Sequence, residues 1–482
     1  MKHLNSREQQ TVVQSVNELL FTLSKRDHLP LGPEYSQLFD TDQVEKNLAQ
    51  YRLTKKFQIP NEKDNLERSV KSMAEVLDYD KVSSIKEFNP ARMELDADVR
   101  RLLYKVRNEL HENFSNFRPG GTVLVLPNGE TDLPAKGDCS IYAKLRNAKQ
   151  WRVTADCFEF AAGLIYNTKA LKNSARQHFL SYSKQENDLL WFSFNDPFEV
   201  FKCKLLDFMT IVDGSRLSTV PKNNDSDRVI NCEPFFNMVC QLNISRALLS
   251  RMEQAPYFYS KANAQEIHGN MISDFEKCTI DLSKASDSNW LAVVKWLYPK
   301  RLFNYLEKTR SPMTKSNGCW HPLWMLSPMG NGFTFEVMTL TLLTFARALD
   351  STSSVYGDDI VINKSVSNLY LRTLACLGYK VNVSKTFLSG YFRESCGSFY
   401  HKDRYLQSFD FHYSLDIVDA IVSINKLIVL RDVLGIRNEL RTFVKTLPPI
   451  LLMEGDLTKY REDLYDLGGC VKIPLDLLNV KR

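Results

Sequence analysis

Apolar residues recur at helical spacing near the start of the chain, at Val12, Val13, Val16, Leu19, Leu20 and Leu23, which predicts a helix from Ser6 to about Lys25. Leu95, Val99, Leu102, Val106, Leu110 and Phe114 repeat the pattern, so the first hundred or so residues are expected to be mostly helical. Pro119-Gly120-Gly121 breaks it, Thr122 to Leu126 is a strand candidate, and Pro127-Asn128-Gly129 signals a turn. The run Thr279-Ile280-Asp281 is β-like and ends on an acid. Trp290, Val293, Val294 and Leu297 then predict a helix, with Asp287 or Ser288 placed to cap it and Pro299 near its stop. Residues 333–349 are almost wholly apolar and long enough for a buried helix. Two β-favouring runs flank Gly357-Asp358-Asp359, which reads as a tight hairpin with its acids at the tip. Leu369 to Leu377 reads as a helix stopped by Gly378, residues 382–387 are expected to lead back into a strand, and Leu415, Val418, Ile421 and Ile424 open a largely helical tail. The alternation of helical and strand periods predicts an α+β chain.

At 482 residues the chain has room for a large core and two or three subdomains. Its 44% apolar and 25% charged residues, without repeats or low-complexity tracts, exclude extensive disorder. The net charge of +5 fits a polyanion partner but is small for this length, so only motifs can carry a nucleic-acid reading. Ten scattered cysteines without zinc spacing read as small buried residues in a reducing compartment. The start lacks a secretion signal, and no run approaches the ~20 apolar residues of a membrane span, so a soluble, intracellular protein without a membrane partner is expected. Lys136, Lys144, Arg146, Lys149 and Arg152 read as a solvated charged face rather than a phosphate-facing surface.

Candidate chemistry sits in four places. Adjacent Asp358 and Asp359 repel in a cramped turn, and a divalent cation is the strongest counter-charge available. Asp281, a carboxylate ending an otherwise buried strand, is costly without a partner. Between the acids, Ser327-Pro328-Met329-Gly330-Asn331-Gly332 is a glycine-rich loop that lets a ligand backbone approach the buried helix. Upstream, Lys222 and Arg228 lie on a turn-rich loop entering a β run, a point charge and a bidentate fork of the kind a triphosphate needs. In this order the elements match the layout by which a polymerase palm brings carboxylates from two neighbouring strands onto a pair of Mg²⁺ ions, with Mn²⁺ as a possible substitute. Such a pair activates an attacking hydroxyl and neutralises the leaving pyrophosphate.

The strings VPKNNDSDRVINCEP (220–234), IDLSKASDS (280–288), SPMGNGFTFE (327–336), YGDD (356–359) and GYKVNVSKTFLSGYFRESCG (378–397) give the chain a specific resemblance. It resembles the replicases, RNA-dependent RNA polymerases, of the small positive-strand RNA bacteriophages of the levivirus group. The resemblance implies a right-hand polymerase fold with fingers, a palm of antiparallel sheet and helices, and a thumb. Residues 1–125 would be a mostly helical N-terminal region, 126–265 the fingers, 266–400 the palm and 401–482 a helical thumb and C-terminal region. Asp281, Asp358 and Asp359 would hold the Mg²⁺ ions, Lys222 and Arg228 would meet the incoming triphosphate, and Lys385 would protonate the pyrophosphate. Asp287 would sense the ribose 2′-hydroxyl. Gly330 and Thr334 fit the palm pattern of the loop, but Met329 and Met338 stand where many such polymerases have Ser and Asn, leaving Ser327 and Asn331 as candidates to help Asp287. The implied partners are template RNA, nucleoside triphosphates, host elongation factors Tu and Ts and a host ribosomal RNA-binding protein, in the host bacterial cytoplasm.

Three rivals follow from the same residues. A reverse transcriptase usually places a bulky aromatic about five residues after its first catalytic aspartate, whereas Ser286 and Asp287 stand here. A replicase of a capsidless RNA element is weakened by MGNGFTFE and FRESCG. An inactive RNA-binding palm gives no reason to cluster acids where phosphates must come.

Overall fold

The computed structural model describes residues 4–25, 39–57, 62–85, 87–120, 124–133, 140–182, 197–222, 227–454, 470–474 and 477. Its contacts divide the chain into two compact units, one of Met1–Arg68, Pro221–Asp227 and Val383–Arg482, the other of Ser69–Val220 and Arg228–Asn382.

The larger unit mixes helix and sheet. The helix Ala97–Phe114 buries Val99, Leu102, Leu103, Val106, Leu110 and Phe114, the stripe its spacing predicted. It packs on the helix Thr334–Leu349, twelve of whose sixteen residues are buried, as its apolar composition demands. Against that helix lies a three-stranded antiparallel sheet with Asp359–Asn363 between Lys277–Ile280 and Ser354–Tyr356. Every residue of Lys277–Ile280 is buried, as are Ile360, Val361 and Ile362. This is the antiparallel sheet with helices expected of a palm. A second sheet orders its strands Asp227–Cys232, Gly214–Pro221, Met313–Ser316 and Cys319–Pro322. A further apolar cluster gathers around Trp151, Phe201, Phe235 and Phe236.

In the smaller unit the helix Ser6–Ser24 starts on a capping box, Asn5 Oδ1 accepting from the Glu8 amide and the Glu8 carboxylate from the Asn5 amide, each at 2.9 Å. It packs on the tail helix Ile417–Val429. Asn17 bridges to Ser414 through both its amide nitrogen (3.0 Å) and its oxygen (2.8 Å). Phe392–Ser395, Ser398–His401 and Arg404–Leu406 form a three-stranded meander.

Several local expectations are corrected. Residues 124–126, the described part of the strand candidate, form no strand, because the Val125 carbonyl accepts from the Asn243 side chain (3.3 Å) instead of a ladder; residues 121–123 lie outside the described residues. The turn after them is present, with Gly129 at φ 87°. Residues 382–387 do not return to a strand: a 3₁₀ turn, Val383–Lys385, follows Asn382, and the next strand starts at Phe392. Of the basic cluster, Arg146 and Lys149 are exposed, but Lys144 is buried with its ammonium on the Pro127 carbonyl (3.0 Å), and Arg152 pairs with Asp132 at 2.6 Å. Lys136 lies outside the described residues. Among the described cysteines, Cys157, Cys232, Cys240 and Cys278 are buried whereas Cys203 and Cys319 are exposed. No helix of the described residues is long and apolar enough to cross a membrane.

Candidate active site

Tyr356 pairs with Asp359, which leaves Gly357 and Asp358 as a two-residue hairpin loop. Gly357 takes φ 64°, the left-handed value such a turn asks of its first residue, and a methyl group there would stand 2.9 Å from the Phe335 ring. The buried helix fixes this tip in two ways: the Gly357 amide donates to Thr339 Oγ1 at 3.1 Å, and the Tyr356 ring meets Phe335 edge to face at 5.0 Å. Ile360 faces Ile280 across the ladder, so continuing the register by one residue sets Asp359 across from Asp281. Asp281 is held from its other side by Asn382, whose side-chain amide donates to Oδ2 at 2.6 Å and whose backbone N–H donates to the Asp281 carbonyl at 2.9 Å. Asp281, Asp358 and Asp359 are all half-buried.

Among the described residues no three His, Cys, Asp or Glu side chains close into a ready-made metal cage. A donor set of oxygens alone would suit Mg²⁺ or Mn²⁺ rather than zinc. Asp281, Asp358 and Asp359 offer such oxygens at the open end of the sheet.

Asp287 is not a helix cap. The helix Leu291–Leu297 starts from Trp290, and Asp287 sits in a separate 3₁₀ turn, Ser286–Ser288, only 8% exposed. Burial pushes its carboxyl up to about 6, against the opposing pull of the Ser286 hydroxyl (3.2 Å), the Lys284 charge and the Met329 amide. The Met329 amide belongs to the glycine-rich loop, which also carries the two candidate partners. Ser327 is fully buried, and its hydroxyl has no hydrogen-bond partner among the described residues. Asn331 is committed elsewhere, its amide donating to Glu233 (3.4 Å) and its oxygen accepting from the Phe333 N–H (3.1 Å). Gly330 has φ 100° and lies against the strand Asp227–Cys232, where a Cβ would meet the Asn231 carbonyl at 2.4 Å; the Asn231 amide donates to the Met329 carbonyl at 2.8 Å.

Arg228 lies exposed on that strand, and its guanidinium has no hydrogen bond or ion pair among the described residues. The larger unit thus holds eight of the ten predicted site residues. Lys222, exposed after the strand Gly214–Pro221, and Lys385, half-buried in its 3₁₀ turn, belong to the smaller unit. Residues 223–226 of the basic loop lie outside the described residues.

Sequence reasoning gave no role to Asn382, Thr339, Glu233 or Asp350. Asp350 follows the buried helix, and its carboxylate accepts from Lys277 Nζ (2.8 Å), the Thr352 amide (3.0 Å), the Asn363 amide (3.1 Å) and the Ser353 hydroxyl (3.1 Å). The signal for Glu233 and Asp350 was a single acid abutting a long apolar run, which forces a partner on it.

A family model described as RNA replicase, beta-chain, matches residues 167–465, more than half of the chain and every site residue named above. The chain belongs to the RNA replicase beta-chain family. The levivirus resemblance read from its motifs therefore holds, and the family supplies the context for the acids of the palm. The RNA-directed RNA polymerase beta chain of Enterobacteria phage GA is 33% identical over 203 residues, 41% of this chain and 38% of that one. That of Enterobacteria phage fr is 36% identical over 202 residues, 40% and 36% of the two chains, and the beta subunit of Escherichia virus Qbeta is 34% identical over 220 residues, 43% and 37%. The matched stretches thus span well under half the length of these relatives. An RNA-dependent RNA polymerase of a human picorbirnavirus aligns over 95% of this chain and 86% of its own at 11% identity, with a TM-score of 0.39, too low to bear on the fold.

Proposed function

We propose that the chain is an RNA-directed RNA polymerase, the catalytic subunit of a phage replicase, which copies positive-strand genomic RNA through a complementary strand. The observation that carries this reading is the ladder register, Ile360 opposite Ile280, whose continuation by one residue brings Asp359 toward Asp281, with Asp358 in the loop of the same hairpin. Asp281, Asp358 and Asp359 would hold two Mg²⁺ ions. When bound, the ions supply charge neutralisation at the transferring phosphoryl group and activation of the attacking 3′-hydroxyl.

The protein's own part is positioning. Asn382 aims the Asp281 carboxylate, and Thr339 and Phe335 fix the turn that presents Asp358. Arg228, with a guanidinium free to form a bidentate contact, and Lys222 would bind the triphosphate, while Lys385 would give a proton to the departing pyrophosphate. Asp287 would accept from the ribose 2′-hydroxyl. Of its two candidate helpers, Ser327 has the uncommitted hydroxyl and Asn331 does not, which favours Ser327. Gly330 would serve by letting the loop lie against the Asn231 strand.

Template RNA and nucleoside triphosphates are the substrates of this reading. Its partners are host elongation factors Tu and Ts and a host ribosomal RNA-binding protein, and its place is the host bacterial cytoplasm. The test is incorporation of labelled nucleotide on an RNA template by the chain purified with its co-eluting proteins. Magnesium-dependent ribonucleotide incorporation is the expected result; preference for deoxynucleotides, or RNA binding without synthesis, overturns the reading.

A further inference from the structure

Glu233 lies between the strand Asp227–Cys232 and the helix Phe235–Met252 and is 1% exposed. Its carboxylate accepts from the Ser311 hydroxyl at 2.5 Å and from the Asn331 amide at 3.4 Å, and it is hydrogen-bonded to the Gln241 side chain. Arg310 favours its charge from nearby but directs its donors to the carbonyls of Ser311 (3.1 Å), Leu323 (3.1 Å) and Met325 (3.3 Å). Burial dominates and pushes the carboxyl up to about 7. Packing alone gives no reason for an acid here, since an apolar side chain of similar size avoids that desolvation.

What the acid does is hold the glycine-rich loop. It grips Asn331 directly, and Gln241, which it also contacts, accepts from the Gly332 amide at 2.9 Å. On the loop's other side the Met329 amide hydrogen-bonds Asp287. The loop is thus slung between two buried carboxylates, Glu233 and Asp287, and Ser327, whose hydroxyl has no partner among the described residues, rides on it.

We infer that Glu233 is a positioning residue for sugar discrimination: through Asn331 and Gln241 it fixes the loop so that Ser327 and Asp287 face the ribose 2′-hydroxyl together. This rests on the polymerase reading above. The same geometry predicts which changes the site tolerates. Glutamine at 233 keeps the tether to Asn331, its oxygen accepting from that amide, while its own amide donates to the Ser311 hydroxyl, which can turn to accept. Alanine removes both.

The experiment measures kcat/KM for a ribonucleotide and for the matching deoxynucleotide, with the chain purified alongside its co-eluting partners. Wild type, Glu233→Gln, Glu233→Ala, Asn331→Ala and Ser311→Ala are compared, with thermal unfolding of each. Glu233→Ala and Asn331→Ala are expected to lower the ribo-to-deoxy ratio by about tenfold, while Glu233→Gln and Ser311→Ala stay within about threefold of wild type. Ser311→Ala is the control for stability, because it removes a short bond to Glu233 that does not reach the loop. If Glu233→Ala does not fold, Asn331→Ala cuts the same tether from the loop side and decides alone. Equal losses on both sugars with an unchanged ratio overturn the inference and leave Glu233 a structural residue. No ribonucleotide incorporation by wild type overturns the polymerase reading itself.

Discussion

The two ends of the palm sheet handle acids in opposite ways. At the closed end Asp350 accepts hydrogen bonds from Lys277, Thr352, Ser353 and Asn363, an arrangement that outweighs its burial and holds its carboxyl well below the usual range. At the open end Asp281 follows one strand, Asp358 sits in the hairpin loop and Asp359 opens the next strand, all half-buried, and Asp287 is buried with its carboxyl pushed up. A carboxylate fully met by donors stabilises a fold, whereas carboxylates crowded together do not. If the acids of the open end meet a ligand's charge, as proposed above, substitutions at the two ends should part activity from stability.

The largest effect is expected at the hairpin loop. Asp358→Asn keeps the size of the side chain and removes one charge, so nucleotide incorporation should fall by at least about a thousandfold. Thermal unfolding should be unchanged or slightly raised, because a like-charge repulsion disappears. Incorporation near the wild-type rate would place the chemistry elsewhere.

At the closed end the order reverses. Asp350→Ala removes the carboxylate that pairs with Lys277, which is only 9% exposed, and should cost roughly 3 kcal/mol of stability, with the folded fraction still active. The sign of the pH dependence follows from the downward shift. Stability contributed by Asp350 is complete above the ordinary carboxylate range and disappears as pH falls through its depressed folded value. Chemical denaturation of wild type and variant should therefore differ fully at pH 7 and converge only in strong acid.

Much of this contrast was legible in the residue order. Asp358 and Asp359 in a glycine turn, Asp281 ending an apolar run and the long apolar helix between them gave the palm, because period and turn chemistry are local. Asp287 was misread as a possible cap because its spacing to the next helix was right; only the turn at Ser286–Ser288 shows that the helix starts later. Thr339 and Asn382 carried no local signal, since each matters only through a partner 18 or 101 residues away. Lys144 looked like part of a charged face and is buried, because its partners, the Pro127 carbonyl and the Phe235 ring, are set by tertiary packing.

Asp287 offers an intermediate effect with a distinctive pH signature. Its folded value of about 6 lies above the ordinary 3.8, so ionisation opposes folding. The penalty is absent below about pH 4, grows between about pH 4 and 6, and is complete above that. Asp287→Asn should gain on the order of 2 kcal/mol at pH 8 and nothing at pH 4, while losing preference for ribonucleotides. Denaturation at the two pH values checks the first part, and competition between ribo- and deoxynucleotides the second. A variant equally stabilised at both pH values would show that the Asp287 carboxyl titrates alike in the folded and unfolded chain, and that burial does not raise it.

The smallest expected effect tests how the open end is held in place. Thr339 Oγ1 accepts from the Gly357 amide, and nothing about this bond involves a reacting group. Thr339→Val keeps the shape and leaves that buried amide unpaired, so a loss of about 1 kcal/mol in stability is expected. The turn it secures presents Asp358, so the rate should fall further than the folded fraction does, with KM for the triphosphate little changed because Arg228 and Lys222 are untouched. A rate that merely follows the folded fraction would mean that Gly357 and its contact with Phe335 are enough to set the tip, and that Thr339 serves stability alone.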